Sequence, residues 1–270
     1  MTPTLTSETA YAKINLALHV RSRRPDGYHE LETLFAFVDA GDVLTAQPAD
    51  EFALTVTGPF ADDLAGETDN LVLRAAKALA RESNALAFTL DKRLPVASGI
   101  GGGSADAGAA IRLAQQLWGT AIDPTQIAHL GADVPACVAS RTCFGTGVGD
   151  QLANIDLPGL AGTPILLVNP RLPCPTGPVF RQWDGIDRGP LDPASWRTAR
   201  NDLEAPAIAL VPEIGAVLDA LSQTNASLTR MSGSGATCYA LYDNIADRDR
   251  AAQKIADQHP DRWTLSGALR

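Results

Sequence analysis

The sequence has no run of about 18 apolar residues, the length a membrane-spanning helix needs. It is also short of basic charge, with 22 Lys and Arg against 31 Asp and Glu and a formal net charge of −9. A nucleic acid partner usually demands a basic surface, so that class is disfavoured, and an anionic ligand must be held by local features and not by the overall field. Cysteine is sparse: Cys137, Cys143, Cys174 and Cys238 form no C-x-x-C pair and have no histidine at zinc spacing. They read as buried small hydrophobes in a reducing compartment. No repeat of fixed period occurs. The first nine residues lack the basic start and apolar core of a secretion signal and the arginines of a transit peptide, so a cytoplasmic protein is expected. What remains is a globular chain of 270 residues, 45% hydrophobic and 20% charged, long enough for one large domain or two ordinary ones.

The most informative stretch runs from Leu94-Pro95 through Ser98-Gly99-Ile100-Gly101-Gly102-Gly103-Ser104 to Asp106. Glycines so dense pack nothing and cost entropy inside a strand or helix. Directly downstream, Ala107, Ala110, Ile111, Ala114, Leu117 and Trp118 fall at helical spacing, with Arg112, Gln115 and Gln116 elsewhere. A glycine-rich loop running into a helix presents unpaired backbone N–H groups and the positive end of the helix dipole, a natural seat for phosphate. It is not a Walker loop, because no lysine follows until Lys254. It is not the dinucleotide fingerprint either, because Ser104 and Asp106 stand where a third glycine would be needed. A turn that only reverses the chain stays open on this stretch alone.

Other segments surround it. Ile14, Leu16, Leu18 and Val20 alternate with Asn15, Ala17 and His19, the period of a half-buried strand, with Lys13 at its start. Arg24-Pro-Asp-Gly27 is turn chemistry and places Tyr28 and His29 just beyond three arginines. Leu31–Val38, Asp42–Ala46 and Phe52–Thr57 read as short strands. Thr68-Asp69-Asn70 supplies a capping side chain ahead of a helix from about Leu71 to Arg81, with the stripe Leu71, Ala75, Ala78 and Leu79. A strand at Ala87–Leu90 leads into the glycine loop. Asp123-Pro124-Thr125 starts a helix ending near Gly131, and Asp133 follows in a glycine- and proline-framed segment where an aspartate is ordinarily a turn former or cap. A boundary falls near residues 150 to 160, giving domains 1–155 and 156–270. Beyond it come the strand Ile165–Val168, a long loop over Pro170–Pro193, helices from Asn201, Pro212 and Asp247, a small-residue loop over Leu228–Ala236 and strands at Thr237–Leu241 and Trp263–Leu265. His19, His129 and His259 show no partner, and the four tryptophans read as packing. Strands and helices alternate without a regular βαβ rhythm, which favours an α+β fold in two layers.

Ala12-Lys13-Ile14-Asn15-Leu16, the Pro95–Ser104 loop and Ser232-Gly-Ser-Gly-Ala236 together resemble the three motifs of the galactokinase–homoserine kinase–mevalonate kinase–phosphomevalonate kinase (GHMP) superfamily. Arg24-Pro-Asp-Gly27-Tyr28-His29, Asp69-Asn70-Leu71, Asp91-Lys92-Arg93-Leu94-Pro95, Gly131-Ala-Asp133-Val-Pro135 and Pro175-Thr176 with Phe180 are similar to the branch whose acceptor is a cytidine diphosphate-linked methylerythritol. Two positions depart from that pattern, Ile100 for a more usual leucine and Ala105 for a common second serine. Both bear on nucleotide affinity and not on the reaction.

The resemblance implies a two-domain α+β kinase with its active site in the interdomain cleft, serving the non-mevalonate route to isoprenoids. ATP would be the co-substrate, with Pro95, Gly99, Gly101, Gly102, Gly103 and Ser104 around its phosphates and Asn70, Leu71 and Lys92 along its adenine. Asp133 would take the acceptor's proton, and Lys13 would keep it ionised and offset charge on the migrating group. Tyr28 and Phe180 would sandwich the cytosine, His29 would read its edge, and Asn15 and Thr176 would hold the polar tail. Mg²⁺ would accompany ATP, with Ser104 the first candidate ligand. The partners would be small molecules only, with no nucleic acid and no membrane, and the protein a monomer or weak homodimer. The competing readings are a sister kinase with another alcohol as acceptor and a nucleotide-binding regulator without catalysis. Tyr28, His29 and Phe180 argue against the first, and the presence of both Lys13 and Asp133 argues against the second.

Overall fold

Two strands are much longer than local sequence suggests, and they organise the chain. The computed structural model describes residues 5–81, 84–119, 121 and 127–270. In it β1 spans Thr6–Arg23 and β2 spans His29–Ala49, joined by the expected turn, where Gly27 N–H donates to Arg24 O at 3.1 Å and Arg24 N–H to Tyr28 O at 2.8 Å. The two segments expected on either side of Gly41 are one strand. Gly41 is needed there for close approach, because a Cβ on it would stand 1.9 Å from Ala10 O. The chain divides into two compact units, one of residues 1–12, 41–96 and 101–140 and the other of 13–40, 97–100 and 141–270. This is a different partition from the contiguous segments 1–155 and 156–270, because β1 and β2 each supply residues to both units.

In the first unit the later half of β2 pairs antiparallel with β4 (Ala85–Asp91), from Val43 opposite Asp91 to Ala49 opposite Ala85. The short strand β3 (Ala53–Thr57) adds to β4 in parallel. Helix α1 (Leu71–Leu79) begins at Asn70, whose Oδ1 accepts the Val72 N–H at 2.9 Å. Its buried stripe is Val72, Ala75, Ala76 and Leu79, which keeps the expected Ala75 and Leu79 and replaces Leu71 and Ala78 with Val72 and Ala76. Helix α1 packs on α2 (Gly102–Trp118), which in turn packs on α3 (Val134–Ala139). Arg112, read as a polar-face residue of α2, ties these parts together. Its guanidinium pairs with Glu8 at 2.9 Å and donates to Thr9 O at 2.7 Å and Cys137 O at 2.9 Å, satisfying a carbonyl near the C-terminal end of α3. The expected helix start at Asp123 lies outside the described residues, and its end is a 3₁₀ turn over Ala128–Leu130.

In the second unit the early part of β2 pairs with β5 (Cys143–Thr146), and β5 with β6 (Gln151–Asn154), all antiparallel. A second antiparallel sheet has the order β10 (Trp263–Ala268), β7 (Pro164–Asn169), β9 (Cys238–Leu241), β8 (Leu228–Met231). Strand β8 thus takes the first four residues of the expected small-residue loop. The long loop carries a single-turn helix α4 (Thr176–Arg181), followed by α5 (Glu204–Leu210), α6 (Glu213–Ser222) and α7 (Ile245–Gln258). Leu166, Val168 and Ala240 of the sheet join Val179, Ile214, Val217, Leu221 and Ile255 of the helices, with Leu18 and Val20 of β1, in one apolar core. All four cysteines are buried, and none of them is in a disulfide.

One expectation fails instructively. Lys13, Asn15 and His19 are as buried as the apolar residues between them, so β1 is not half-exposed. Each polar side chain finds a partner inside the unit. Lys13 Nζ donates to Asn15 Oδ1 at 3.1 Å, Asn15 Nδ2 donates to Thr33 Oγ1 at 2.7 Å, and His19 Nδ1 lies 3.1 Å from Gly189 O. His19 therefore has a partner, 170 residues away, that sequence spacing does not reveal.

Candidate active site

The glycine loop is built from left-handed backbone positions at its turns. Ala97 has φ +51°, Gly99 +77° and Gly101 +64°, and Gly101 is the N-cap of the 17-residue helix α2. The first helical bond runs from Ala105 N–H to Gly101 O at 2.8 Å. The N–H groups of Gly102, Gly103 and Ser104 precede that bond, so they have no intrahelical acceptor. The helix dipole adds a partial positive charge at the same end. A Cβ on Gly103 would meet nothing within 4 Å, so the loop is open there. The arrangement is a backbone cradle for anionic oxygens.

At its other end the loop is pinned inside the second unit by Ser232. The Ser232 hydroxyl donates to Gly99 O at 2.9 Å and accepts from the Asn15 N–H at 3.1 Å. Lys13 N–H donates to Ile100 O at 3.0 Å, and Thr237 N–H to Ser98 O at 3.1 Å. The three stretches singled out in the sequence, the Lys13 strand, the start of the glycine loop and the 232–236 loop, therefore meet at one hydroxyl. Asn201 supports the last of them, with Nδ2 donating to Met231 O at 2.9 Å and Gly233 O at 2.7 Å. Neither Ser232 nor Asn201 was among the expected site residues, and the repeated serine and glycine of 232–235 was the only signal for the first. Thr176 Oγ1 lies 3.0 Å from Ser234 Oγ, which places this expected residue on the same loop. The Lys13 ammonium also stands 4.7 Å above the Phe35 ring.

The turn after β1 presents two unlike side chains. Tyr28 is 66% exposed, while His29 is buried, with its ring 5.0 Å from Phe180 and 5.7 Å, edge-on, from Trp183. Burial, and then the positive charge of Arg23, hold the His29 pKa below the ordinary histidine value, so the ring is neutral at pH 7 and offers one donor and one acceptor. His29 and Phe180 are thus brought together, and Trp183 joins them as a wall that was read only as packing. An exposed aromatic next to a fixed imidazole suits a planar heterocycle.

In the first unit Asp133 occupies the N-cap of α3, where its side chain makes no capping hydrogen bond. Asn70 lines a cavity of about 380 Å³ with Leu54, Val56, Ala61, Leu64, Ala65, Glu67 and Leu73 among its walls. Leu73 rather than Leu71 faces this cavity, and Lys92 does not. Its ammonium is buried between Asp42 (2.6 Å) and Asp106 (2.7 Å), so its charge is paired inside the unit. Among the described residues no three His, Cys, Asp or Glu side chains form a metal-holding group. Half-buried Ser104 supplies a hard oxygen donor in the first turn of α2, which suits magnesium brought in on phosphates.

This constellation has known counterparts. Residues 70–155 match the GHMP kinases N terminal domain and residues 187–262 the GHMP kinases C terminal domain. The chain is 59% identical to the 4-diphosphocytidyl-2-C-methyl-D-erythritol kinase of Novosphingobium aromaticivorans, over 97% of this chain and 92% of that protein. It is 55% identical to that of Rhizorhabdus wittichii, over 98% of this chain and 94% of the relative. A crystal structure of 4-(cytidine 5'-diphospho)-2C-methyl-D-erythritol kinase matches with a TM-score of 0.85 at 32% identity, covering 98% and 99% of the two chains. The Methanococcus jannaschii mevalonate kinase matches at 0.66 with 11% identity over 100% and 99%, a likeness of fold alone. Fold and motifs together define the class as the GHMP kinases. Within that class the chain belongs to the 4-diphosphocytidyl-2-C-methyl-D-erythritol kinase family.

Proposed function

We propose that the protein transfers the γ-phosphoryl group of ATP to the 2-hydroxyl of 4-diphosphocytidyl-2-C-methyl-D-erythritol, giving the 2-phosphate and ADP in the non-mevalonate isoprenoid route. The observation that carries this reading is the junction at Ser232, which holds the lysine strand and the glycine loop in one hydrogen-bonded unit. Phosphoryl transfer asks mainly for positioning and charge stabilisation. The N–H groups at the start of α2 supply both to the ATP phosphates. Pro95 and Gly99 shape the approach to them, and Asn70 sets the wall of the adenine pocket.

Asp133 accepts the proton of the acceptor hydroxyl. Lys13 supplies fixed positive charge for the carboxylate and the migrating group, and Asn15, which receives its hydrogen bond, orients it. Tyr28 and Phe180 enclose the cytosine, His29 reads its edge, and Thr176 holds the polar tail. Ser104 would hold the magnesium that accompanies ATP, which would offset phosphate charge. The family matches at 70–155 and 187–262 fall within segments 1–155 and 156–270, which supports reading those as N- and C-terminal kinase domains. Small polar substrates and a net charge of −9 fit a cytoplasmic monomer or weak homodimer.

The test is ATP consumption with the cytidyl acceptor beside homoserine and mevalonate, with Asp133→Ala as control. Turnover on the cytidyl acceptor alone is expected, with kcat reduced roughly 10²- to 10⁴-fold in the variant, the usual worth of a general base. Turnover on another alcohol, or full activity in the variant, overturns the acceptor or the base assignment respectively.

A further inference from the structure

Lys92 is only 2% exposed, and its neighbours explain why the chain tolerates a charge there. The ammonium donates to Asp42 Oδ2 at 2.6 Å and to Asp106 Oδ2 at 2.7 Å, and both carboxylates are themselves buried. Asp42 lies in β2, Lys92 follows β4, and Asp106 stands one helical turn beyond Gly102 in α2. The other oxygen of Asp42, Oδ1, accepts the backbone N–H groups of Arg93 at 2.5 Å and Leu94 at 2.7 Å. One buried cluster therefore joins a strand, the segment leading into the glycine loop and the first turns of the helix the loop feeds. A Cβ on Gly102 would stand 3.1 Å from the Lys92 nitrogen, so the loop rests directly on the ammonium.

Such a cluster is poorly explained by stability. Desolvating three charges costs several kcal/mol each, and well-packed apolar residues of the same volume commonly do as well. Asp106 Oδ1 has no hydrogen-bond partner, a further cost that a purely structural tie need not carry. What charge provides and oil does not is directionality: an ammonium with two short hydrogen bonds fixes the distance and rotation of what it joins.

We propose that Asp42, Lys92 and Asp106 are positioning residues for the nucleotide, holding the start of α2 so that the N–H groups of Gly102, Gly103 and Ser104 converge on phosphate. The inference rests on the reading of the glycine loop as the ATP phosphate site. Burial pushes the Asp106 carboxyl pKa up, against the pull of Lys92 and with the push of Asp42. Burial works against the Lys92 ammonium, but Asp106 and Asp42 together outweigh it and its pKa lies above the ordinary lysine value.

The experiment is steady-state kinetics on the full chain with ATP and the cytidyl acceptor varied separately, alongside Tm, for Asp106→Ala, Asp106→Asn, Asp42→Asn and Gly103→Val. Asp106→Ala is expected to raise the ATP KM tenfold or more while leaving the acceptor KM within twofold and kcat at saturating ATP within threefold. Asp106→Asn keeps an oxygen for the ammonium and restores the ATP KM to within threefold of the parent. A lower Tm with the ATP KM unchanged, or both KM values rising together, overturns the proposal. Should Asp106→Ala fail to fold, Asp42→Asn carries the test: a severalfold rise in ATP KM supports the proposal, and an unchanged one overturns it. Gly103→Val tests the underlying reading by itself, because its side chain projects into open space above the loop. If it too leaves the ATP KM unchanged, the phosphate assignment fails and takes the positioning role with it. If it raises the ATP KM while Asp106→Ala does not, only the positioning role is lost.

Discussion

The phosphate loop and the aromatic subsite solve recognition in opposite ways. Residues 99–104 offer backbone, set by left-handed turns and pressed against other backbone: a Cβ on Gly99 would lie 2.6 Å from Gly235 O and 2.7 Å from Ser232 O. The turn at Tyr28 and His29 offers side chains, one standing in solvent and one packed on Phe180 and Trp183. At Gly99 such a site has no side chain to remove and no room for one to be added, so there it breaks through stability. A site made of exposed side chains breaks through binding and leaves the fold alone.

The comparison is tested most severely at Gly99. Gly99→Val introduces both a backbone clash and a β-branched residue at φ +77°, and should cost about 3–5 kcal/mol. Thermal unfolding of the variant should show a large drop in Tm together with loss of turnover. A fall in activity without a fall in Tm would mean that the loop is not held as described. Next comes Ser232→Ala, which strips a buried hydroxyl from Gly99 O and the Asn15 N–H and should cost about 1–3 kcal/mol. Chemical denaturation reads this directly, and the ATP KM should rise with it, since the loop and the Lys13 strand lose their common pin.

Tyr28→Ala sits on the other side of the comparison. With the ring 66% exposed, the Tm should move by no more than a degree or two, while loss of base stacking raises the KM for the cytidyl acceptor roughly tenfold or more. An unchanged acceptor KM would remove Tyr28 from the subsite. The smallest effect concerns pH. His29 in the folded protein titrates below its ordinary value of 6.5, so its neutral form is the one the fold favours. Its contribution to stability is present above pH 6.5 and is lost as pH falls through the lower folded value. The acceptor KM should be flat from pH 8 to 6.5 and rise only below that. His29→Asn should remove the rise.

Much of this was readable from short stretches because local chemistry decides it. Asn70 caps a helix by reaching its own second neighbour, the Pro-Asp-Gly turn closes on itself, and dense glycines cannot be helix or strand interior. Errors arose where a local pattern has two physical causes. Gly41 reads as a break between strands but serves a close approach to Ala10, and the alternation at 13–20 reads as one wet face but is buried throughout. A buried polar residue and a solvated one alternate identically in sequence. They differ only in whether a partner waits, and Thr33 and Gly189 lie 18 and 170 residues from theirs.

The division between sequence and tertiary structure follows from that. By itself the sequence determined the glycine loop feeding α2, the order of most strands and helices, the turn that presents Tyr28 and His29, and the family motifs, since each depends on backbone propensities within a few residues. Tertiary structure alone decided that Ser232 joins Asn15 to Gly99 across 217 and 133 residues, that His29 meets Phe180, and that Lys92 is held between Asp42 and Asp106. Those pairings are enforced by the cost of leaving a buried polar group unsatisfied, and that cost exists only once the chain has folded and excluded water.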